Sequence, residues 1–140
     1  GIRTMSSADA GYSPIEYHNG TVWPHDTAIV AEGMRRYGFA SEAGVLALAL
    51  IEAAEVFEHR LPEVFAGFPR ERTQMPVEYP TASRPQAWSA AAPLLVLRTV
   101  LGLDVDDGRL RSTAEPPSAF GELRLRGVPV RGGREDVPTG

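Results

Sequence analysis

The feature that most constrains the fold is a stretch over residues 43–54 in which Glu52 is the only charged residue. The stretch lies in a proline-free run over 41–59, which Pro62 follows, so a helix is predicted over 41–59. A helix that is apolar nearly all round is buried against more than one neighbour. The fold therefore has to provide several partners for this helix.

A first helix is predicted over Pro24–Tyr37, before the apolar one. Pro24 suits the first turn of a helix, and Asp26 suits an N-cap or a first-turn acid. Gly38 is the stop signal. Apolar residues recur along the helix at helical spacing and predict one buried stripe, formed by Ile29, Val30, Gly33, Met34 and Tyr37.

A third helix is predicted over Gln86–Leu101, with Gly102 as the residue that ends it. Pro93 lies inside this helix, where proline costs about 3 kcal/mol, so we expect a kink or a late start. Residues 61–85 precede it and contain five prolines, which exclude a long regular element. The aromatic residues of this segment favour an ordered loop that packs on the rest of the protein: Phe65, Phe68 and Tyr79.

The C-terminal part alternates apolar and polar residues instead. Asp107-Gly108, with alternating residues on both sides, predicts a β-hairpin, and residues 123–126 predict a half-buried strand. The sequence thus divides into helices and loops over 1–102, a short β segment over 103–130 and a flexible tail over 131–140.

Composition excludes several functional classes. All 14 basic residues are arginine, the net charge is -4 and the acids are scattered, so a nucleic-acid surface is not expected. The absence of Cys excludes disulfides, thiolate metal sites and a thiol nucleophile. The longest apolar run, Val45–Ile51, is far shorter than the roughly 20 residues that span a bilayer, and a signal-peptide pattern is missing. We expect a soluble, cytoplasmic protein without a membrane partner.

Residues 17–26 combine two imidazoles, an amide, an indole and a carboxylate in the loop that enters the first helix. A sugar ring presents C–H faces that pack on Trp or Tyr, and its hydroxyl groups need planar donors and acceptors such as His, Asn and Asp. The segment therefore predicts a sugar site at Tyr17, His18, Asn19 and Trp23. The structural alternative is that Trp23 belongs to the core and that Asn19-Gly20 is only a turn.

A second group of polar and aromatic residues lies in and after the long loop. Glu63 follows a helix end among aromatic residues, where a carboxylate can be partly desolvated and act as an acid or a base. Glu78, beside a tyrosine in the same loop, is the second choice. Gln86 and Trp88 repeat the combination of an amide with an indole, which suits a sugar.

Simpler roles compete with these interpretations. The structural alternative for Glu63 is an ion pair with Arg60 or Arg70. A metal site is not expected, because no two histidines have the spacing of a helical or His-x-His ligand pair. The three histidines are His18, His25 and His59.

Three runs of residues carry a resemblance to a known family: YHNGTVWPHD at 17–26, LPEVFAGF at 61–68 and PQAWSAAAPLLVL at 85–97. In order and rough spacing they are similar to signature blocks of the amylo-α-1,6-glucosidase and glycogen-debranching type of glycoside hydrolase. The resemblance covers about residues 10–130 and corresponds to the C-terminal part of the family's catalytic domain.

The resemblance implies a mainly α fold, part of an (α/α)6 toroid of the six-hairpin glycosidase type, with a short β segment at the C-terminus. It also implies inverting hydrolysis of α-1,6 branch linkages in glycogen-like glucans, with no cofactor. Inversion needs a general base and a general acid, with room for a water molecule between base and sugar. By position Glu63 matches the base, and the pocket-lining positions are matched by His18, Asn19, Trp23, Gln86 and Trp88.

The family's general acid lies far upstream of these blocks, and no segment of this sequence matches its surroundings. Asp26 is interpreted as an N-cap or as a supporting partner instead. The sequence starts at Gly1 without an initiator Met, and its helices are too few to surround residues 43–54. The simpler explanation is a small α+β domain that oligomerises, and the other is that the partner helices lie on residues missing from this sequence. We therefore expect an incomplete hydrolase, inactive alone, whose partners are the missing N-terminal part of the same catalytic domain and an α-glucan or oligosaccharide substrate.

Two other functions stay open. The same aromatic loops suit a non-catalytic helical module that binds sugars or a partner protein. A toroid hydrolase of trehalose or mannosylglycerate type has the same need for two carboxyl groups, because the shape of the pocket determines which sugar is bound.

Overall fold

The computed structural model of the protein describes residues 1–113 and 116–138. Its helices are α1 (Pro24–Arg36), α2 (Ala40–Val56), the one-turn α3 (Arg70–Thr73) and α4 (Ala87–Leu101). Two antiparallel hairpins follow, β1 (Leu103–Asp106) with β2 (Arg109–Ser112), and β3 (Arg124–Val130) with β4 (Gly133–Pro138). A 3-10 turn at Ser118–Phe120 lies between the hairpins.

The three long helices pack against each other through small side chains. Ala28 and Ala31 on α1 are fully buried. Methyl groups at a helix contact allow the two axes to approach closely. Large apolar residues of α2 and α4 complete the main cluster, which consists of Ala28, Ala47, Leu50, Ala92, Val96 and Val100. A separate cluster joins the end of α4 to the hairpins through Leu101, Leu103 and Val137.

The prediction of part of an (α/α)6 toroid is wrong. The described residues form three long helices, one helical turn and two two-stranded antiparallel sheets. The apolar helix α2 obtains its neighbours from α1 and α4, and its outer face stays exposed at Val45 and Ile51. The physical reason is the small-residue face of α1, which lets α2 and α4 close on it without further helices.

The buried stripe predicted on α1 is also wrong. Ile29, Val30 and Tyr37 are 58%, 42% and 85% exposed, and Gly33 and Met34 are half-buried. The buried face consists instead of Pro24, Thr27, Ala28, Ala31 and Glu32. Apolar spacing identified the helix but not its inner face, because α1 contacts its neighbours through methyl groups and not through its large side chains.

The ends of the other helices differ little from the prediction. α2 ends at Val56, before the predicted end, since Glu58 and His59 adopt positive φ. α4 runs through Pro93 without a late start and ends at Gly102, which adopts the left-handed conformation (φ 57°, ψ 39°). None of the helices in the described ranges is long and apolar enough to cross a membrane.

The predicted hairpin is confirmed. β1 pairs with β2, and φ is positive at both turn residues, Asp107 (47°) and Gly108 (75°), as a type I′ turn requires. β3 contains most of the strand predicted over 123–126. Within the tail expected over 131–140, Gly133–Pro138 instead forms β4, which pairs with β3, and the last two residues lie outside the described ranges.

Residues 61–85 contain more regular structure than the sequence predicts. Besides α3, this loop takes part in a series of single β-bridges in which Arg3 pairs with Val22, Val22 with Phe65, and Phe65 with Glu78. Phe65 is 5% exposed and packs in a buried cluster with Val22. These bridges bring the loop before α1 next to the loop after α2.

Glu32 connects α1 to α4 in a buried ionic network. Its carboxylate accepts hydrogen bonds from Arg35 (2.8 and 2.9 Å), Arg36 (2.9 Å) and the Thr99 hydroxyl (3.0 Å). Arg35 also contacts Asp104 on β1 at 3.2 Å. The pKa of Glu32 is lowered to about 2, chiefly by the hydrogen bonds from Arg35 and against the effect of burial.

The Gly67→Ala substitution is expected to destabilise the fold. A Cβ atom at Gly67 would lie 1.7 Å from the carbonyl oxygen of Gly20, and backbone cannot rotate away as a side chain can. We expect a loss of about 3 kcal/mol in the free energy of unfolding, measured by urea denaturation and circular dichroism. Gly33→Ala is the matched control, because its Cβ would meet no atom within 4 Å. That variant should gain about 0.5–1 kcal/mol from helix propensity. Equal stability of the two variants would contradict the close approach at Gly67.

Stability should fall in acid because of Glu32. Its folded pKa of about 2 is below the ordinary 4.5, so the unfolded chain binds the proton more tightly. The ionised Glu32 carboxylate stabilises the fold fully above about pH 4.5, and this stabilisation is lost as the pH falls toward about 2. Glu32→Gln should cost about 2–3 kcal/mol at pH 7 and flatten this part of the profile of unfolding free energy against pH. The same substitution at the exposed Glu55 is the control and should change the free energy of unfolding at pH 7 by less than about 0.5 kcal/mol. An unchanged profile in Glu32→Gln would refute the assignment.

Candidate functional site

The candidate site is centred on the carboxylate of Glu63, in the loop that follows α2. The Tyr17 hydroxyl donates a hydrogen bond to Glu63 Oε1 (2.6 Å), and the backbone N–H of Ser83 donates one to Oε2 (3.1 Å). The backbone N–H of Glu63 donates in turn to the Ser83 carbonyl (2.9 Å). Three segments that are distant in the sequence therefore meet at one carboxylate.

The donors determine the charge of Glu63. The hydrogen bond from Tyr17 is the largest effect that lowers the pKa of the Glu63 carboxyl, followed by the N–H of Ser83, while burial acts in the opposite direction. The same hydrogen bond raises the pKa of Tyr17 to about 12. At neutral pH, Glu63 is an anion and Tyr17 a neutral donor.

The backbone around Glu63 is fixed by buried neighbours. Leu61 and Val64 are 5% and 0% exposed. Ser89, fully buried in the first turn of α4, directs its hydroxyl at the Glu63 carbonyl from 3.5 Å. The main chain of Glu63 is therefore held in place by its buried neighbours. Its side chain is only partly buried, so solvent can reach the carboxylate.

Trp23 is the buried member of an aromatic cluster that includes Tyr17, the hydrogen-bond donor to this carboxylate. It is 7% exposed, and its Nε1–H donates to the Thr21 hydroxyl at 3.0 Å. Tyr17 packs edge-on against it with 4.7 Å between ring centroids, and His18 lies parallel to it at 6.0 Å. Its position is therefore that of a core residue that supports Tyr17 and His18.

Trp88 presents an open aromatic face and is joined to the cluster through His25, whose ring lies 5.8 Å from that of Trp23. Its side chain is 50% exposed and stacks on His25, with 4.4 Å between ring centroids and 11° between the planes. His25 Nε2 lies 3.1 Å from Asp26 Oδ1, and Nδ1 is buried without a hydrogen-bond partner among the described residues. His25 therefore supports one face of the indole while the rest stays open to solvent.

The other predicted residues lie at the edge of the site. Asn19 directs its amide at Glu16 Oε1, 2.7 Å away. Gln86 is the N-cap residue of α4 and forms no side-chain cap bond. Glu78 is exposed on the neighbouring bridged segment. The Tyr17 hydroxyl contacts Glu63, which connects this carboxylate and not that of Glu78 to the aromatic cluster.

The ion pair considered for Glu63 is absent from the described parts of the protein. Arg70 contacts Glu52 instead, at 2.5 Å. The carboxylate of Glu63 interacts with a phenol and a backbone amide, which leaves it charged without a bound arginine. An ion pair with an arginine, the simplest structural role for Glu63, is therefore not observed in the described ranges.

Sequence reasoning missed three residues of the site, His25, Tyr79 and Ser83. His25 lies inside the run of residues 17–26, so its place in that run was the available signal. Tyr79 lies 5.6 Å from Tyr17 between ring centroids, across two loops. Ser83 acts through its backbone, which no pattern of side chains can indicate.

The site can bind a neutral polar ligand and accept a proton from it. An ionised carboxylate has about four acceptor positions, of which the two donors use two. The open indole of Trp88 suits the C–H face of a ring. Within the described ranges no group of three or more His, Cys, Asp or Glu side chains could hold a metal ion.

Comparison with known proteins finds no match for the chain, either among protein-family models or among curated proteins. The resemblance carried by the three sequence runs stays a prediction. The proposed reaction therefore rests on the geometry around Glu63, and the proposed linkage and glycan rest on the resemblance alone.

The Tyr17→Phe substitution should raise the pKa of the Glu63 carboxyl toward its ordinary value, since it removes the hydrogen bond that lowers it most. The carboxyl 13C shift of Glu63, followed by NMR against pH and assigned with Glu63→Gln, measures this change. Tyr12→Phe is the matched control, because the Tyr12 hydroxyl donates to the Gly67 carbonyl and not to a carboxylate. An equal pKa in both variants would show that Tyr17 does not control the charge of Glu63.

Proposed function

We propose that the protein is part of a glycoside hydrolase that acts on α-1,6 branch linkages of glycogen-like glucans with inversion, and that Glu63 is its general base. The supporting observation is the ionised Glu63 carboxylate, fixed by Tyr17 and Ser83, on a segment that Ser89, the residue after the open indole of Trp88, contacts. An anionic oxygen and an exposed aromatic face are what an activated water molecule and a sugar ring require.

In this proposal the sugar packs on Trp88. The indole is held from behind by His25, so its plane is set before a ligand arrives. A preordered ring loses less conformational entropy on binding than a free one. His18 is exposed close by and offers ring nitrogens to sugar hydroxyl groups.

Glu63 would then act on a water molecule. The water oxygen attacks the anomeric carbon, its proton passes to the Glu63 carboxylate, and the bond to the leaving oxygen breaks. The leaving oxygen takes a proton from a general acid. The family resemblance implies that this acid belongs to another part of the same catalytic domain, which is the proposed partner. A cytoplasmic location belongs to the same proposal.

A non-catalytic sugar-binding module is the second candidate. One observation favours it: both oxygens of Glu63 already accept hydrogen bonds, and no other carboxylate contacts it among the described residues. Such a carboxylate can recognise a sugar hydroxyl without any transfer of a proton.

Titration calorimetry with a branched α-limit dextrin tests the shared claim of both candidates. Trp88→Ala should weaken binding about tenfold, the loss expected when a stacking face is removed. The matched control is Phe39→Ala, which removes an aromatic side chain that is 54% exposed outside the site. Trehalose and mannosylglycerate, tested in parallel, distinguish the other specificities. Failure of every sugar to bind would refute both candidates.

The reaction is tested separately from binding. The wild-type protein alone should release no glucose from the dextrin, because among the described residues no second carboxyl group contacts Glu63. Glu63→Gln should still bind the dextrin, since an amide oxygen keeps the acceptor. If the wild-type protein hydrolyses the dextrin and Glu63→Gln does not, the expected need for a second part is wrong.

A further inference from the structure

A cleft of about 670 Å3 lies between the N-terminal segment, α2 and the loop that carries α3. Polar and apolar surface contribute about equally to its walls, and the cleft has the size of a small-molecule site. Glu63 and Trp88 do not line the cleft, so it is separate from the site proposed for sugars. Its larger apolar residues are Met5, Val22, Val56, Phe65, Phe68 and Met75.

The charges in the cleft do not cancel. Its charged side chains are Arg3, Glu52 and Arg70. Glu52 and Arg70 form an ion pair at 2.5 Å. Arg3 forms no ion pair with a described residue. Among the charged side chains of the cleft, the half-buried Arg3 is therefore the cation without a counter-ion in the described ranges, and such a cation attracts an anion more strongly than an exposed one does.

The guanidinium of Arg3 is held in place. Its Nε–H donates to the Gly67 carbonyl at 2.7 Å, and its plane lies over the Tyr12 ring, 5.7 Å from the centroid. Tyr12 donates to the same carbonyl at 2.7 Å, and the backbone of Arg3 pairs with Val22. Arginine has five N–H donors, so the four on the two Nη atoms are left for a ligand. A fixed planar fork of this kind binds carboxylate and phosphate groups through two parallel hydrogen bonds.

We propose that this cleft binds an amphipathic small-molecule anion, with its carboxylate or phosphate group on Arg3 and its apolar body against Met5, Phe68 and Met75. The anion supplies the missing counter-charge, and the thioether side chains adapt to the shape of the apolar body. This site is independent of the sugar site, so either proposal can fail without the other.

The methionines provide a direct test with the full chain. Two of the three, Met5 and Met75, line the cleft, whereas Met34 lies outside it on α1. We expect 2-naphthoate to shift the 13C-methyl NMR signals of Met5 and Met75 and to leave Met34 unchanged. The neutral 2-naphthamide has the same apolar body and should bind more weakly. Absence of a shift at Met5 and Met75, or equal shifts at all three residues, would overturn the proposal.

Substitution of Arg3 separates the charge from the shape of the cleft. Arg3→Gln should weaken 2-naphthoate about tenfold, the loss expected for one charge-assisted hydrogen-bonded contact, and leave 2-naphthamide within about twofold. Arg126→Gln removes the same charge at an exposed position on β3 and should change neither affinity. Retained binding of 2-naphthamide shows that the cleft of the Arg3 variant is intact. An equal effect on both probes, or none, would show that Arg3 does not select an anion.

Discussion

The backbone pairing of Val22 with Phe65 is the constraint on which both candidate sites depend. The N–H of each residue donates to the carbonyl of the other, at 2.9 and 3.0 Å. Both side chains are buried in one cluster, so the pair is shielded from water that would compete for these hydrogen bonds. The pairing joins the loop before α1 to the loop after α2. Glu63 then reaches Tyr17 on the N-terminal side of Phe65, and Gly67 reaches Arg3 on its C-terminal side.

The two sites, one on each side of this pairing, carry opposite charges. At one, a carboxylate is kept ionised by neutral donors, which leaves its charge free to act on a ligand. At the other, a guanidinium is fixed by a neutral carbonyl and an aromatic ring, with the same consequence. Most other charged groups near the core are compensated, as in the Glu32 network with Arg35 and Thr99. The contrast between compensated and uncompensated charge is the physical basis for regarding Glu63 and Arg3 as functional.

Local features of the fold were predictable because they depend on a few neighbouring residues. Gly102 ends α4 in the left-handed conformation, and Asp107-Gly108 forms the turn of the first hairpin, since these residues adopt positive φ at low cost. The toroid, which the family resemblance implied, was not correct, and neither was the inner face of α1. On α1 large apolar residues such as Ile29 were expected inside, but small residues such as Ala28 allow the closest helix packing.

Short-range sequence patterns are sufficient to place the long helices and the hairpin turn. The choice of Glu63 and Trp88 as site residues came from residue chemistry and from the family resemblance, and it stays a prediction. The tertiary structure alone decided the partners of Glu63. Tyr17 and Ser83 are 46 and 20 residues away from it along the chain, and Ser83 contributes its main chain. The tertiary structure also buries Trp23 beneath Tyr17 and His18 and leaves Arg3 without a counter-ion among the described residues. Contacts of this kind depend on which segments of the chain meet. The burial of Val22 and Phe65 in one cluster brings these segments together, and no pattern of neighbouring residues in the sequence indicates it.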